Sequence, residues 1–144
     1  MVGPDKAPKK IDTSTPNHAR VYDHFLGGKT NYEADRLAAA RIAESAPDTP
    51  VLARELRQFL VRVVRTLSEA GIRQFIDIGT GIPTSPSVHE IARSVDPDAR
   101  VAYVDNDPVV VVHADALLAT DAGVAAVEGA LRKPEQILGD PAVR

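Results

Sequence analysis

Two acidic residues and a pair of glycines are the residues whose types and spacing in this sequence best fit ligand chemistry. Asp77, Gly79 and Gly81 lie in the stretch FIDIGTGIPT, and Asp105 ends the next β-prone run, VAYVD. Glycines at 79 and 81 remove two Cβ atoms, so backbone N–H groups can approach a ligand closely. A carboxylate such as Asp105 can accept hydrogen bonds from both vicinal hydroxyls of a ribose. The pattern predicts a ligand that contains a nucleoside, whereas a tight strand-to-helix corner would explain the glycine pair alone.

The common phosphate-binding and metal-binding patterns do not fit these residues. A dinucleotide fingerprint needs a third glycine at position 84, where this chain has Thr84. Gly28-Lys29-Thr30 is preceded by Asp23 where a Walker loop needs a glycine. An EF-hand interpretation of Asp105-Asn106-Asp107 meets Val110 at the obligatory glycine position. No metal site is predicted, and the scattered histidines are interpreted as surface or packing residues: His18, His24, His89 and His113.

Strands and helices must alternate to position the two acidic residues. Short β-prone runs at 73–78, 100–104 and 124–127 predict three strands. The helix after the glycine loop is predicted to start with Ser85 as N-cap and Pro86 at its first position, and the next helix with Asp107 as N-cap. This order predicts an α/β fold with a three-stranded parallel βαβαβ unit, half of a doubly wound sheet.

Helices are also predicted on both sides of this unit. A short helix within 13–31 is expected to close at Gly27 or Gly28, and a second is expected from Asn31, as N-cap, to position 46. Apolar residues at spacings of three and four predict an amphipathic helix over 51–70. Its arginines are interpreted as a solvated face: Arg54, Arg57, Arg62 and Arg65. One more helical turn is predicted over 134–138.

Composition narrows the protein class. The 144 residues carry a net charge of -3, no cysteine and only 4% aromatic residues, so we expect one domain with a core of small aliphatic side chains. The charge provides no basic field for nucleic acid, and no run approaches the roughly 18 apolar residues of a membrane span. We therefore expect a cytoplasmic protein that binds neither nucleic acid nor a membrane. Residues 1–12 are expected to form a disordered tail.

Three stretches together resemble the actinobacterial S-adenosyl methyltransferase family: IDTSTPNHARVYDHFLGGKTNYEADR, FIDIGTGIPTSPSVHEIA and VAYVDNDPVVVVHADALLA. The resemblance runs from about Ile11 to Leu138. It implies a Rossmann-like class I methyltransferase fold that binds S-adenosylmethionine (SAM) and transfers its methyl group to an acceptor that the family does not define. It also implies a helical lid or cap over 13–70 and a partial SAM-binding domain over 71–144.

The resemblance also implies a set of cofactor-binding residues. They are Arg20, Tyr22, Gly28, Lys29, Asp77, Gly79, Thr80, Gly81, Asp105 and Asn106. The loop from Asp77 to Gly81 would surround the methionine and ribose portion of SAM, Asp105 would hold the ribose hydroxyls and Asn106 would lie beside the adenine. In the lid, Arg20 or Lys29 would pair with the methionine carboxylate. No catalytic residue is implied.

Two departures from the family pattern keep other functions open. Gly129-Ala130-Leu131 stands where similar proteins carry an acidic residue that accepts a hydrogen bond from the adenine amine, and family members continue well beyond this length. A truncated sheet would leave its first strand as an open edge, which is prone to self-association, unless another chain covers it. The alternatives are a non-catalytic SAM- or adenosine-binding module, an inactive fragment, and an NAD-binding oxidoreductase, which the missing third glycine disfavours.

Overall fold

A computed structural model describes residues 11–144 of the chain. Its elements, in chain order, are α1 (His18–Phe25), α2 (Glu33–Ser45), α3 (Thr49–Glu69), β1 (Gln74–Ile78), α4 (Val88–Arg93), β2 (Arg100–Asp105), α5 (Pro108–Leu117), β3 (Val124–Glu128) and α6 (Pro134–Gly139). The alternation from β1 to β3, with helices before it, confirms the predicted α/β fold. Most of the tail predicted over 1–12 lies outside the described residues.

The three strands form one parallel sheet in the order β1-β2-β3. Asp77 lies beside Tyr103 in the register of β1 with β2, and Asp105 lies beside Glu128 in that of β2 with β3. Because parallel strands end at the same edge, the loops that follow β1 and β2 are neighbours. Within residues 11–144, β1 pairs only with β2, and Ile76 and Ile78 on it are exposed.

Small aliphatic side chains fill the core on both faces of the sheet. Val101 and Tyr103 of β2 pack in the main cluster with α4 and α5, while Val104 faces a smaller cluster that includes Ile137 of α6. This division follows from the alternation of side chains along a strand. Alanine contributes six of the buried positions: Ala39, Ala53, Ala92, Ala99, Ala102 and Ala114.

The helix after the glycine loop begins later than the sequence predicted. Ser87, not Ser85, is the N-cap of α4, and its Oγ accepts a hydrogen bond from the Glu90 N–H. The Glu90 carboxylate in turn accepts the Ser87 N–H at 2.6 Å. This reciprocal capping box explains the choice, because Ser85 has no acidic residue three positions later. Helix α2 also begins later than predicted, since Tyr32 rather than Asn31 is its N-cap.

Helix α3 is the predicted amphipathic helix, but its apolar stripe is only partly covered. Ala53, Val64 and Ser68 are the buried residues of this helix. Leu52, Leu56 and Phe59, which belong to the predicted stripe, are exposed. The helix reaches the main core cluster through Val64, with Leu60 and Val61 packed against that cluster.

No helix within the described part of the chain combines the length and the apolar character needed to cross a membrane. Likewise, residues 11–144 contain no group of three or more histidine or acidic side chains placed to hold a metal ion.

Candidate functional site

The glycine loop leaves β1 as an open backbone turn. Gly79 and Gly81 have φ values of 74° and 69°, in the left-handed region that favours glycine. A Cβ atom built on either residue would meet no heavy atom within 4 Å, so both glycines face open space. The N–H of Gly79 donates to the Val104 carbonyl at 2.8 Å, which fixes the start of the loop to β2. The loop therefore has open space beside its backbone at both glycines.

Asp105 joins this loop to the one that follows β2. Its Oδ2 accepts the Gly81 N–H at 3.1 Å, and its Oδ1 accepts the Asp107 N–H at 3.0 Å. A carboxylate has about four acceptor sites, so each oxygen retains capacity for one more donor. The carboxylate can thus brace two loops and still accept hydrogen bonds from two ribose hydroxyls.

A cleft of about 500 Å³ lies between these loops and the N-terminal segment. Its wall consists of Pro16, Asn17, His18, Ala19, Tyr22, Gly79, Thr80, Gly81, Asp105, Asn106 and Asp107. Ligand pockets in proteins typically measure about 300 to 1,000 Å³. The structure thus brings together six of the predicted residues, Tyr22, Gly79, Thr80, Gly81, Asp105 and Asn106, whereas Arg20, Gly28, Lys29 and Asp77 do not line the cleft.

Asp77 lies behind the loop rather than on the cleft wall. Its Oδ2 accepts a hydrogen bond from the Thr80 hydroxyl at 3.0 Å. Burial raises the pKa of the Asp77 carboxyl, against the opposing effects of the Thr80 hydrogen bond and the positive charge of Arg57. The negative charge of Asp105 raises it further. Asp77 therefore supports the loop through Thr80, which does line the cleft.

Arg20 of α1 forms a buried ion pair with Asp35 of α2. Its Nε is 2.9 Å from Oδ2 of Asp35, and both side chains are almost completely buried. A second nitrogen of the guanidinium donates to the backbone carbonyls of Asp12 and Thr15. The predicted role of Arg20 with the methionine carboxylate gains no support from this position, because its donors already join α1, α2 and the residues before α1.

Hydrogen bonds stabilise the ionised form of Asp35. Burial raises the pKa of its carboxyl, but N–H donors from Asn17 and Tyr32, together with the hydrogen bond and charge of Arg20, outweigh that effect and hold the pKa below its ordinary value. The sequence analysis missed Asp35. Its position three residues after Tyr32, at the start of a helix, is the signal that could have revealed a capping carboxylate.

The glycine turn after α1 is shaped by Asp23. The buried Asp23 carboxylate accepts the Thr30 N–H and the Asn31 side-chain amide, each at 2.9 Å. A Cβ atom on Gly28 would lie only 2.0 Å from Oδ1 of Asp23, so this position has no room for a side chain. Gly28 therefore shapes the turn, and the neighbouring Lys29 is exposed.

Asn17 connects the N-terminal segment with the other side of the cleft. Its side-chain amide donates to Oδ2 of Asp107, and its Oδ1 accepts the Arg20 N–H at 3.1 Å as the N-cap of α1. Asp107 also caps α5, as predicted, by accepting the Val109 N–H at 2.9 Å. The sequence analysis did not place Asn17 in the site, although Asn before a helix is a strong N-cap signal.

A histidine and a buried tyrosine form a second polar cluster under α4. The Tyr103 hydroxyl accepts the backbone N–H of His89 and lies 2.9 Å from its Nδ1. Burial, and to a smaller extent the charge of Arg93, lower the pKa of His89, whereas Glu90 and Asp121 oppose that change. Burial also raises the pKa of Tyr103. This cluster does not line the cleft.

The end of β3 offers no acidic side chain at the position predicted to face the adenine amine. The Gly129 N–H donates to the backbone carbonyl of Asp105 at 3.0 Å, which ties this segment to β2. Ala130 follows it and has no side-chain acceptor. Neither residue lines the cleft.

Comparison with known proteins places this geometry in a family. The chain is similar to a "putative methyltransferase" from Thermobifida fusca YX, with 51% identity and a TM-score of 0.89 over 96% of this chain and 53% of that one. It is also similar to a DUF574 family protein from Streptomyces avermitilis, with 48% identity and a TM-score of 0.86 over 94% of this chain and 53% of that one. The chain thus spans about half the length of each of these structures. A search of curated proteins finds no match.

A family model described as S-adenosyl methyltransferase matches residues 4–144. This match covers nearly the whole sequence and agrees with both structural relatives and with the loop geometry described above. The chain therefore belongs to the S-adenosyl methyltransferase family.

Proposed function

We propose that this chain binds S-adenosylmethionine in the cleft and serves in the transfer of its methyl group to an acceptor that is still to be identified. The observation that carries the proposal is the convergence of the glycine loop and Asp105 on one wall of a cleft bounded by the N-terminal segment. Family membership supports the same cofactor. In this proposal residues 13–70 act as the cap and residues 71–144 as the cofactor-binding part.

The residues on the cleft wall fit the chemical groups of SAM. Asp105 has free acceptor capacity for the ribose hydroxyls, beside Asn106, which would contact the adenine. The open backbone at Gly79 and Gly81 leaves space for the methionine portion, with Thr80 on the cleft wall and Asp77 behind the loop. Tyr22 contributes an aromatic ring to the opposite wall, and its hydroxyl donates to the Ala53 carbonyl at 3.2 Å.

Methyl transfer places limited chemical demands on the protein. The sulfonium group of the cofactor supplies an activated methyl group. The task of this chain is therefore to bind and orient, since holding two reactants in line can by itself provide much of the rate acceleration. The cleft residues hold the adenosyl and methionine groups in a fixed position relative to the acceptor.

One observation favours a second candidate function, a non-catalytic SAM- or adenosine-binding module. Ala130 provides no side-chain acceptor for the adenine amine, so the binding of the base would depend on Asn106 and backbone groups. A module of this kind would bind the cofactor and its product without transferring the methyl group.

Isothermal titration calorimetry with SAM, S-adenosylhomocysteine and NAD tests the cofactor. We expect measurable binding of both adenosyl sulfur compounds and weaker or absent binding of NAD, because the loop lacks the third glycine of a dinucleotide site. Tighter binding of NAD than of either adenosyl compound would refute the proposal. Incubation of the chain with methyl-labelled SAM and cell extract then tests for transfer, since binding of SAM without labelling of any acceptor favours the binding module over the methyltransferase.

Two further parts of the proposal concern the cellular compartment of the protein and its self-association. We place it in the cytoplasm, because the sequence has no cysteine and its charge and composition are those of an ordinary soluble domain.

The exposed edge of β1, with Ile76 and Ile78, supports self-association of this chain through strand pairing. Sedimentation velocity over a range of protein concentrations tests this, and a concentration-independent monomer would exclude it.

A further inference from the structure

Arg57 of α3 reaches across to the segment that connects the glycine loop with α4. One terminal nitrogen of its guanidinium, Nη2, donates to the Thr84 carbonyl at 2.6 Å and also to the Pro86 carbonyl. The sequence analysis assigned Arg57 to a solvated helix face. That interpretation is wrong for this arginine, because its side chain links α3 to the loop that contributes Gly79 to Gly81 to the cleft.

The carbonyls that Arg57 binds lie where the chain has few other partners. Residues 79–86 contain no regular secondary structure and join the end of β1 to the capping box at Ser87. The loop is fixed at its start by β2 and at its end by α4. Arg57 provides a third attachment between these two, and it comes from an element outside the sheet.

The charge of Arg57 acts on the same loop. It favours the ionised form of Asp77 and so counteracts the burial and the nearby Asp105 charge, both of which raise the pKa of Asp77. Asp77 in turn accepts the hydroxyl of Thr80 on the cleft wall. The Nε of Arg57 is buried and has no hydrogen-bond partner among the described residues, so one donor of this side chain is still unused beside the loop.

We propose that Arg57 is a positioning residue for the cofactor, because its guanidinium holds the Thr84–Pro86 part of the loop through two backbone carbonyls. This inference rests on the proposed function, since the loop is taken to bind SAM. Arg57 does not line the cleft, and so it acts on the cofactor through the loop.

Three variants separate the geometry from the charge. Arg57→Gln removes the charge and most of the donors, whereas Arg57→Lys keeps the charge on a side chain that ends one bond short of the Nη2 position. Arg54→Gln is the matched control, because Arg54 lies exposed on the same helix and makes no hydrogen bond to the loop within residues 11–144. Calorimetry measures the Kd for SAM, and carbon-13 NMR titration measures the pKa of Asp77. Amide hydrogen exchange over residues 79–87 reports the order of the loop without any ligand.

We expect Arg57→Gln to weaken SAM binding roughly tenfold, to raise the pKa of Asp77 and to speed exchange in the loop. Arg57→Lys should leave the Asp77 titration unchanged but still weaken SAM binding and speed exchange, and Arg54→Gln should resemble the wild type in all three measurements. A purely structural role would lower the melting temperature without moving the Asp77 titration.

Several results would overturn the inference. An Arg57→Gln variant that binds SAM like Arg54→Gln, with the same Asp77 titration, contradicts it directly. If Arg57→Gln does not fold, wild-type affinity and wild-type loop exchange in Arg57→Lys would refute the role of the guanidinium. If the wild type does not bind SAM, the proposed function fails, whereas the loop exchange and the Asp77 titration still decide whether Arg57 positions the loop.

Discussion

Replacing Asp105 with alanine tests two roles of this carboxylate, the observed bracing of two loops and the proposed binding of a ribose. In the free protein, the change removes the acceptor of the Gly81 and Asp107 N–H groups, at 3.1 and 3.0 Å. Both donors lie beside the cleft, where water can replace part of each bond, so we expect a loss of about 1–2 kcal/mol in the free energy of unfolding. In the proposed complex with SAM, the change would also remove the acceptor of the ribose hydroxyls.

The binding loss can be worked from the same contacts. Hydrogen bonds to a charged group contribute about 1.5–3 kcal/mol each, but this carboxylate already shares its charge with two backbone donors. We therefore expect a total loss of about 1–3 kcal/mol for SAM, a factor of roughly 5 to 150 in Kd. Asp105→Asn keeps one acceptor oxygen and should show an intermediate loss. Asp115→Ala, an exposed acidic residue of α5, is the control for a simple change in net charge.

Calorimetry with adenosine and 2′-deoxyadenosine separates ribose binding from loop bracing. The wild type should prefer adenosine, and in Asp105→Ala this preference should nearly vanish, because the partner of the missing hydroxyl is gone. A variant that binds both compounds more weakly but keeps the wild-type preference would show that Asp105 only braces the loops. Unchanged SAM affinity would remove Asp105 from the site altogether.

Three other changes test the structure around the cleft. Arg20→Met should lower the free energy of unfolding by about 3–5 kcal/mol in urea titration, because it leaves a buried carboxylate without its cation; a loss below about 1 kcal/mol would contradict the buried ion pair. Gly28→Ala should cost about 1–3 kcal/mol in the same assay, since its Cβ would lie 2.0 Å from Asp23, while Gly139→Ala, which meets open space, should cost much less. His89 has a lowered pKa, so below its ordinary pKa of 6.5 the unfolded chain takes up a proton more readily than the folded one. The melting temperature of the wild type should therefore fall as the pH drops below about 6.5. The fall should be smaller in His89→Gln, and an equal pH dependence of the two melting temperatures would exclude a contribution of His89 to this effect.

The sequence predicted the three parallel strands and the loops that follow them because the signals there are local. A β-prone run followed by glycines, and a second run ended by Asp105, specify the carboxyl edge of a parallel sheet without reference to distant residues. The cap of α5 by Asp107 is equally local, and it was predicted correctly. Such features depend on neighbours within a few positions.

The misplaced residues depend on contacts between elements distant in sequence. Arg57 binds carbonyls 27 and 29 positions away, and Arg20 pairs with a carboxylate 15 positions away. Periodicity on a helix indicates which side is polar, but it does not indicate whether another segment comes to cover that side. The start of α4 was also missed, because two serines compete there and the choice depends on the side chain of Glu90.

The alanines of the core affect how this protein can be studied by mutation. Alanine scanning identifies important positions by removing atoms, and Ala92, Ala99 and Ala114 have almost no side-chain atoms to remove, although they are among the most deeply buried residues. A scan of that kind would therefore pass over these buried positions. Enlargement to valine or leucine is the informative change, because close-packed interiors tolerate added methyl groups poorly. At these alanine positions, the small volume available beside the backbone limits which residues the sequence can carry.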